Sequence, residues 1–256
     1  MPPEAPWRNA VVTGASSGLG AALAEVLAAS GVSVILCARR VDALSTLAER
    51  IRHAGGRARV VPLDLTDRDV SVATLRALDA ELEIDLLVAN AGTGLAPGDP
   101  LSWEAVRDAC EVNFAGGVAT LTAVLPQMVA RGRGHLVGIS SLASFGALPG
   151  SAAYCAPKAG LSMFLDCLRL DLAGTGVDVT TVHPGFVRTP MVAGAAHPMP
   201  QLVEPDAAAR LIVRQLADRP ARIDFPQPLA WAARIAGGLP RILHELVLRL
   251  LGVRRT

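Results

Sequence analysis

Short runs rich in β-branched residues alternate along the chain with longer stretches in which Ala, Leu and charged residues recur at helical spacing. The runs are NAVVT (9–13), VSVILCA (32–38), ARVVPL (58–63), IDLLVAN (84–90), GHLVGISS (134–141) and VDVTTVHP (177–184). Near-continuous apolar runs suit strands buried on both faces, and a helix-length segment between each pair is the rhythm of a parallel sheet covered on both sides. The expected fold is therefore α/β, a Rossmann-like doubly wound parallel sheet with helices on both faces. Gly31 and Gly55-Gly56 supply the left-handed turns that stop the first two helices. After 184 the pattern turns irregular, and the Gly- and Pro-rich segment of about residues 186–204 is long enough to read as a substrate loop or lid. Pro205 then opens a helix and ARIDF (221–225) reads as an edge strand. Residues 1–225 are expected to form one domain, with 226–256 as a helical extension of it.

Composition narrows the function classes. The 256 residues are 51% hydrophobic and 18% charged with a formal net charge of +1, which gives no electrostatic reason to expect a nucleic-acid partner. Cys37, Cys110, Cys155 and Cys167 form no C-x-x-C pair, so reduced thiols are expected, with neither disulfide nor metal site. The start, MPPEAPWRNAVVTG, has no apolar segment of signal-peptide length, and the apolar stretch 229–251 is broken by Arg234, Pro240, Arg241, His244, Glu245 and Arg249. A cytoplasmic protein, soluble or surface-associated, is expected. Within that tail Ile242, Leu243, Leu246, Val247, Leu250 and Leu251 recur at helical spacing beside Arg241, Arg249, Arg254 and Arg255. Such an amphipathic helix can cover its own cleft, meet a partner subunit or make peripheral membrane contact.

TGASSGLG, from Thr13 to Gly20, sits between the first strand and the first helix. Gly14 makes the turn, Gly18 lets the backbone approach a pyrophosphate, and Gly20 permits close helix packing, while Ser16, Ser17 and Leu19 complete a phosphate-facing loop at a helix N-terminus. An ordinary glycine-rich turn is the alternative. At the end of the second strand stand Arg39 and Arg40, where an NAD-preferring site would offer a carboxylate. A guanidinium there pairs a ribose 2′-phosphate, so NADP(H) is favoured over NAD(H); the alternative is a pair of solvated charges. Asp64 with Leu65, and the triplet Asn90-Ala91-Gly92, fall at the carboxyl ends of the third and fourth strands, where the adenine and the passing cofactor would lie. An Asx turn and a tight turn are their plainer readings.

Tyr154 and Lys158 are four apart on an expected helix and so share one face. A phenol beside an ammonium is drawn toward the range where it gives and takes a proton near neutrality. Ser141 lies at the sheet's carboxyl edge, positioned to hydrogen-bond a carbonyl oxygen. Asn113 interrupts a helical pattern where its amide can hold a water. Taken separately, these are a surface pair, a strand-end serine and a helix-interior asparagine. Together with TGASSGLG, NAG, ISS and HPGFVRTP, over about residues 8–220, they resemble the short-chain dehydrogenase/reductase family in its NADP(H)-preferring form. The resemblance implies Tyr154 as general acid/base, Ser141 orienting the substrate oxygen, Lys158 binding the nicotinamide ribose and lowering the tyrosine pKa, and Asn113 supporting a water-linked proton relay. It also implies that Pro184, Gly185, Val187 and Thr189 pass the nicotinamide. Seven strands are implied, as is a homodimer or homotetramer built partly from helices near 103–131 and 151–174. Pro157 departs from the pattern, which usually has serine just before the lysine.

Phe145, Leu148, Phe186 and Met191 stand in the segments expected to line a pocket with Ser141 and Tyr154, and Val192 adjoins them. An apolar lining suits a hydrophobic carbonyl or alcohol, although such residues can equally pack the loop onto the body. The reading is an NADP(H)-dependent oxidoreductase interconverting a carbonyl and an alcohol on an apolar substrate. A non-catalytic NADP(H)-binding sensor or scaffold is the alternative, followed by a dehydratase or epimerase on the same fold.

Overall fold

The computed structural model describes residues 6–94, 101–193, 199–240 and 242–243. Among them one parallel sheet holds β1 (Asn9–Thr13), β2 (Ser33–Ala38), β3 (Arg57–Pro62), β4 (Leu86–Ala89), β5 (Gly134–Ile139), β6 (Val177–Pro184) and β7 (Arg222–Phe225). Their order is β3-β2-β1-β4-β5-β6-β7, every pair parallel. The helices are α1 (Gly18–Ala29), α2 (Val41–His53), α3 (Arg68–Leu82), α4 (Trp103–Cys110), α5 (Gly117–Ala130), α6 (Ala152–Asp171), α7 (Pro205–Leu216) and α8 (Gln227–Gly238).

Alternation along the strands divides the core into two. Val12, Leu36 and Val88 point to one face and pack with Leu23 and Leu27 of α1, Leu44 of α2 and Ile212 of α7. Val11, Ile35 and Leu87 point to the other and pack with Leu75 of α3, Leu121 of α5 and Leu165 of α6. Val11 pairs with Ile35 on one side and with Leu87 on the other, so the register stacks like faces together. Each fully buried aliphatic side chain of this kind contributes about 1.5–3 kcal/mol, and a slip of one residue would turn the set over.

The strand order reverses between β1 and β4, and ligands of open parallel sheets bind outside the strand ends at such a point. Two local features shape the elements beside it. A π-helical turn, Glu111–Gly116, joins α4 to α5 and carries Asn113; such turns recur at functional sites. Helix α6 runs through Pro157 without ending, although that residue cannot donate to the Ala153 carbonyl.

Helix α8 lies on its own molecule. A Cβ on Gly237 would fall 1.9 Å from the Phe145 carbonyl oxygen, so α8 sits tightly over the 3-10 turn Leu142–Ser144 and the residue after it. Trp231 and Ile235 of α8 face outward. Most of the expected amphipathic tail, from Arg241 through Leu251 to Arg255, falls outside the described residues apart from Ile242 and Leu243.

Candidate active site

The β1–α1 loop has the form of an anion cradle. Gly14 and Gly18 take φ of +67° and +57°, which disfavour any side chain. A Cβ on Gly14 would lie 2.7 Å from the Ala91 Cα, and one on Gly20 would lie 2.4 Å from both Asn90 Nδ2 and the Gly14 carbonyl. The first turn of α1 has no acidic residue, and the Ser17 side chain does not cap it, so its amides are open to an anion. Asn90 braces the loop rather than facing out of it: Nδ2 donates to the Thr13 carbonyl at 3.0 Å, while the Asn90 and Ala91 amides donate to Thr13 Oγ1.

Arg40 reaches back from the end of β2 to this loop, its guanidinium 3.0 Å from Ser16 Oγ and 2.7 Å from Ser17 Oγ. Arg39 is exposed and close enough to Asp64 to draw its carboxyl pKa down, together with the stronger effect of the Thr66 amide. Asp64 accepts from the Thr66 amide and hydroxyl, which is an Asx-type turn, and Leu65 is buried against Gly116.

Across the switch point, the Ser141 side chain lies close enough to the Tyr154 hydroxyl to act on its pKa as a hydrogen-bonding neighbour. Ser141 also caps the 3-10 turn, accepting from the Ala143 amide at 3.1 Å, which holds its hydroxyl at the sheet edge. Lys158, 3% exposed, lies one helical turn from Tyr154, with Nζ 5.9 Å from the phenol ring centre and donating to the Ile139 carbonyl at 2.7 Å. Burial pushes the Lys158 pKa down to about 8. Burial pushes Tyr154 upward, against the opposing hydrogen bond from Ser141. Desolvation of the phenolate sets the direction of the shift in this geometry.

Asn113, 1% exposed, clamps Thr93 in both directions: Oδ1 accepts from its amide and Nδ2 donates to its carbonyl, each at 2.7 Å. Gly92 leaves open the space beside it, since a Cβ there would meet Asn113 Oδ1 at 3.0 Å and Lys158 Nζ at 3.5 Å.

Residues 8–199 match the family model described as short chain dehydrogenase. An uncharacterized oxidoreductase of Myxococcus xanthus is 47% identical over 250 residues, 97% of this chain and 99% of its own length. The chain belongs to the short-chain dehydrogenase/reductase family. A fatty acyl-CoA reductase of Acinetobacter baylyi is 32% identical over 84% of this chain and 74% of its own. An alcohol dehydrogenase of Thermococcus sibiricus, solved in complex with 5-hydroxy-NADP, superposes with a TM-score of 0.75 at 27% identity over 85% of this chain and 95% of that one.

In this short-chain dehydrogenase/reductase the segment after β6 closes on the glycine loop. A Cβ on Gly18 would lie 2.9 Å from Thr189 Cγ2, and Met191 packs beside Gly94. Val187 bridges to Val203, and the Phe186 carbonyl accepts from the Val203 amide, so the start of this segment is tied to the chain just before α7. Gly185 donates to the Phe225 carbonyl at 2.7 Å and lies against Leu142 and Pro226. Leu148 and Met191 are exposed at the rim. Phe145 is placed differently from the expectation: its ring packs on His183 at 4.6 Å and meets the Arg234 guanidinium at 6.0 Å, so it belongs to the contact with α8. His183, Asp224, Ser140 and Ser162 form a buried network under the site that sequence patterning does not single out, apart from the His preceding Pro184-Gly185.

Proposed function

We propose that this oxidoreductase uses NADP(H) to interconvert a carbonyl and an alcohol on an apolar substrate, with Tyr154 as general acid/base. The observation that carries the reading is the buried Lys158 ammonium 5.9 Å from the Tyr154 ring centre, one helical turn away, with Ser141 of the sheet's carboxyl edge beside the phenol.

The residues present fit a nicotinamide dinucleotide. Gly14, Gly18 and Gly20 with the α1 amides would hold the pyrophosphate, Arg39 or Arg40 with Ser16 and Ser17 a 2′-phosphate, and Asp64 and Leu65 the adenine side. Gly92, Lys158 and the 184–189 segment would hold the nicotinamide end. When bound, the dinucleotide supplies or removes the hydride. In reduction Ser141 donates a hydrogen bond to the carbonyl oxygen and Tyr154 delivers its proton to the same atom. The raised pKa of Tyr154 keeps that proton in place until it is needed. Lys158, with a pKa of about 8, is poised to pass a proton toward the phenol near neutrality. Asn113 keeps the Thr93 segment fixed beside this exchange. The open, apolar rim at Leu148 and Met191, and the likeness to a fatty acyl-CoA reductase, favour a hydrophobic substrate.

The test is a paired titration of NADPH and NADH, followed by turnover of apolar ketones and aldehydes by wild type and Tyr154→Phe. NADPH is expected to bind about tenfold tighter or better, matching one charge-assisted contact. Tyr154→Phe should keep that affinity and lose about 10²–10⁴ in kcat. Near-normal turnover in Tyr154→Phe would remove the tyrosine from the mechanism, and equal affinity for the two cofactors would remove the arginines from specificity.

A further inference from the structure

His183 closes β6 beneath the candidate site and is 1% exposed. Its Nδ1 is 2.7 Å from Asp224 Oδ1 on β7, and its Nε2 is 3.1 Å from Ser162 Oγ on α6. Ser162 Oγ is 2.7 Å from Ser140 Oγ, and Ser140 donates to the Lys158 carbonyl at 3.0 Å. Arg234 of α8 donates to the second Asp224 oxygen at 3.1 Å.

The direction of every bond in this chain follows from counting protons. A carbonyl only accepts, so the single hydroxyl proton of Ser140 goes to Lys158. Ser162 must then donate to Ser140, which leaves it only a lone pair for His183. Nε2 is therefore a donor. Nδ1 faces a carboxylate, which only accepts when ionised, so Nδ1 is a donor as well. The surroundings suit a cation: the Phe145 ring lies on the imidazole, and the Asp224 carboxyl pKa is lowered, against its burial, by His183, Arg234 and Arg222. The charged and titratable groups on the elements packed against His183 are Asp224 and Arg222 on β7, Arg234 on α8, Lys158, Asp166, Arg169 and Asp171 on α6, and His135 on β5, with Asp166 engaged by Arg222.

The chain ends on α6 at the residue after Pro157. That proline removes the helical bond to the Ala153 carbonyl, so α6 lacks a rung in the very turn that spaces Tyr154 from Lys158. Ser140 ties the backbone back to the sheet at Lys158, where the missing rung would otherwise leave the turn slack.

We propose that His183 is held with a proton on both ring nitrogens, and that through Ser162 and Ser140 it is a positioning residue for Tyr154 and Lys158, fixing α6 to the sheet where Pro157 interrupts the helix. The role rests on the oxidoreductase reading; the proton arrangement rests on the hydrogen bonds alone.

The decisive measurement is ¹⁵N NMR of the histidine-labelled full chain, with the His183 resonances assigned through His183→Gln. Both ring nitrogens should be found carrying a proton, as the hydrogen bonds to Asp224 and Ser162 require. A ring carrying one proton near neutrality would overturn the arrangement. The positioning role is read from Ser162→Ala and Ser162→Thr, through NADPH affinity and through near-ultraviolet titration of Tyr154, the chain's single tyrosine. Ser162→Ala should weaken NADPH by about three- to tenfold, the coupling typical of a shared network, and displace the tyrosine ionisation. Ser162→Thr should restore both. In a Pro157→Ser background, where the rung is available again, the effect of Ser162→Ala should shrink. A folded Ser162→Ala protein with unchanged affinity and tyrosine ionisation, or an equal effect in both backgrounds, would overturn the role. Absence of turnover in wild type with the NMR result intact would count against the oxidoreductase reading only.

Discussion

Burial of the Lys158 ammonium, with the Ile139 carbonyl accepting from it, pushes its pKa from 10.5 to about 8, which corresponds to about 3 kcal/mol of penalty on the charged form. The sign follows from proton counts. Between about pH 8 and 10.5 the unfolded chain keeps the lysine proton and the folded chain has released it, so stability from this group rises as pH rises through that window. Below it, both states are protonated and the full penalty is present. Lys158→Met, similar in volume and uncharged, should therefore be more stable than wild type at neutral pH. Allowing about 1 kcal/mol for the lost hydrogen bond, the gain is about 2 kcal/mol, or roughly 4–8 °C in Tm. The advantage should narrow as pH rises above about 8, and turnover should be lost. Thermal melts across pH check this; a lower Tm for the variant at neutral pH would show that the lysine is better satisfied than its burial implies.

Among the elements, the β1–α1 loop is the one whose geometry is most tightly bound to its glycines. Gly18→Ala adds a side chain at φ +57° and 2.9 Å from Thr189, so it strains the backbone and presses on the segment after β6 at once. NADPH affinity should drop about tenfold, from about 1–2 kcal/mol of combined strain. Gly238→Ala, with nothing within 4 Å, should leave it unchanged. Isothermal titration of both variants decides, and full affinity in Gly18→Ala would detach this glycine from the cofactor. This loop was legible from sequence because its signal is local, as were the strands, whose apolar runs are short and bounded by turns. The π-helical turn at Asn113 was not, because a wider turn inserts its residues without breaking the apolar pattern of the helices it joins. The partnership of His183 with Asp224 depends on the β6–β7 register, which brings together residues 41 apart. Phe145 looked like pocket lining because its segment borders Ser141; only the docking of α8 turns it to His183.

At the scale of the whole molecule, exposed apolar side chains stand on α4, the π-helical turn and α6 among the described residues. Trp103 is 70% exposed, Met163 66% and Leu170 67%, and Phe114 packs beside Gly160 of α6. Met163 and Leu170, seven apart, lie on one side of α6, and exposed Cys167 falls between them at helical spacing. Several large apolar side chains gathered on one face mark a surface that meets protein, and a two-fold pairing of this face would bury α6 against its own copy. The same helix carries Tyr154 in its first turn and is weakened at Pro157, so a second copy laid along it would hold from outside what Ser140 holds from within. Wild type is expected to sediment as a dimer or tetramer and a Met163→Glu/Leu170→Glu variant as a monomer. Cys167, exposed in the single chain, should then react with a thiol reagent faster in the variant than in wild type. Wild type and variant with one sedimentation coefficient and one Cys167 rate would place the assembly surface elsewhere.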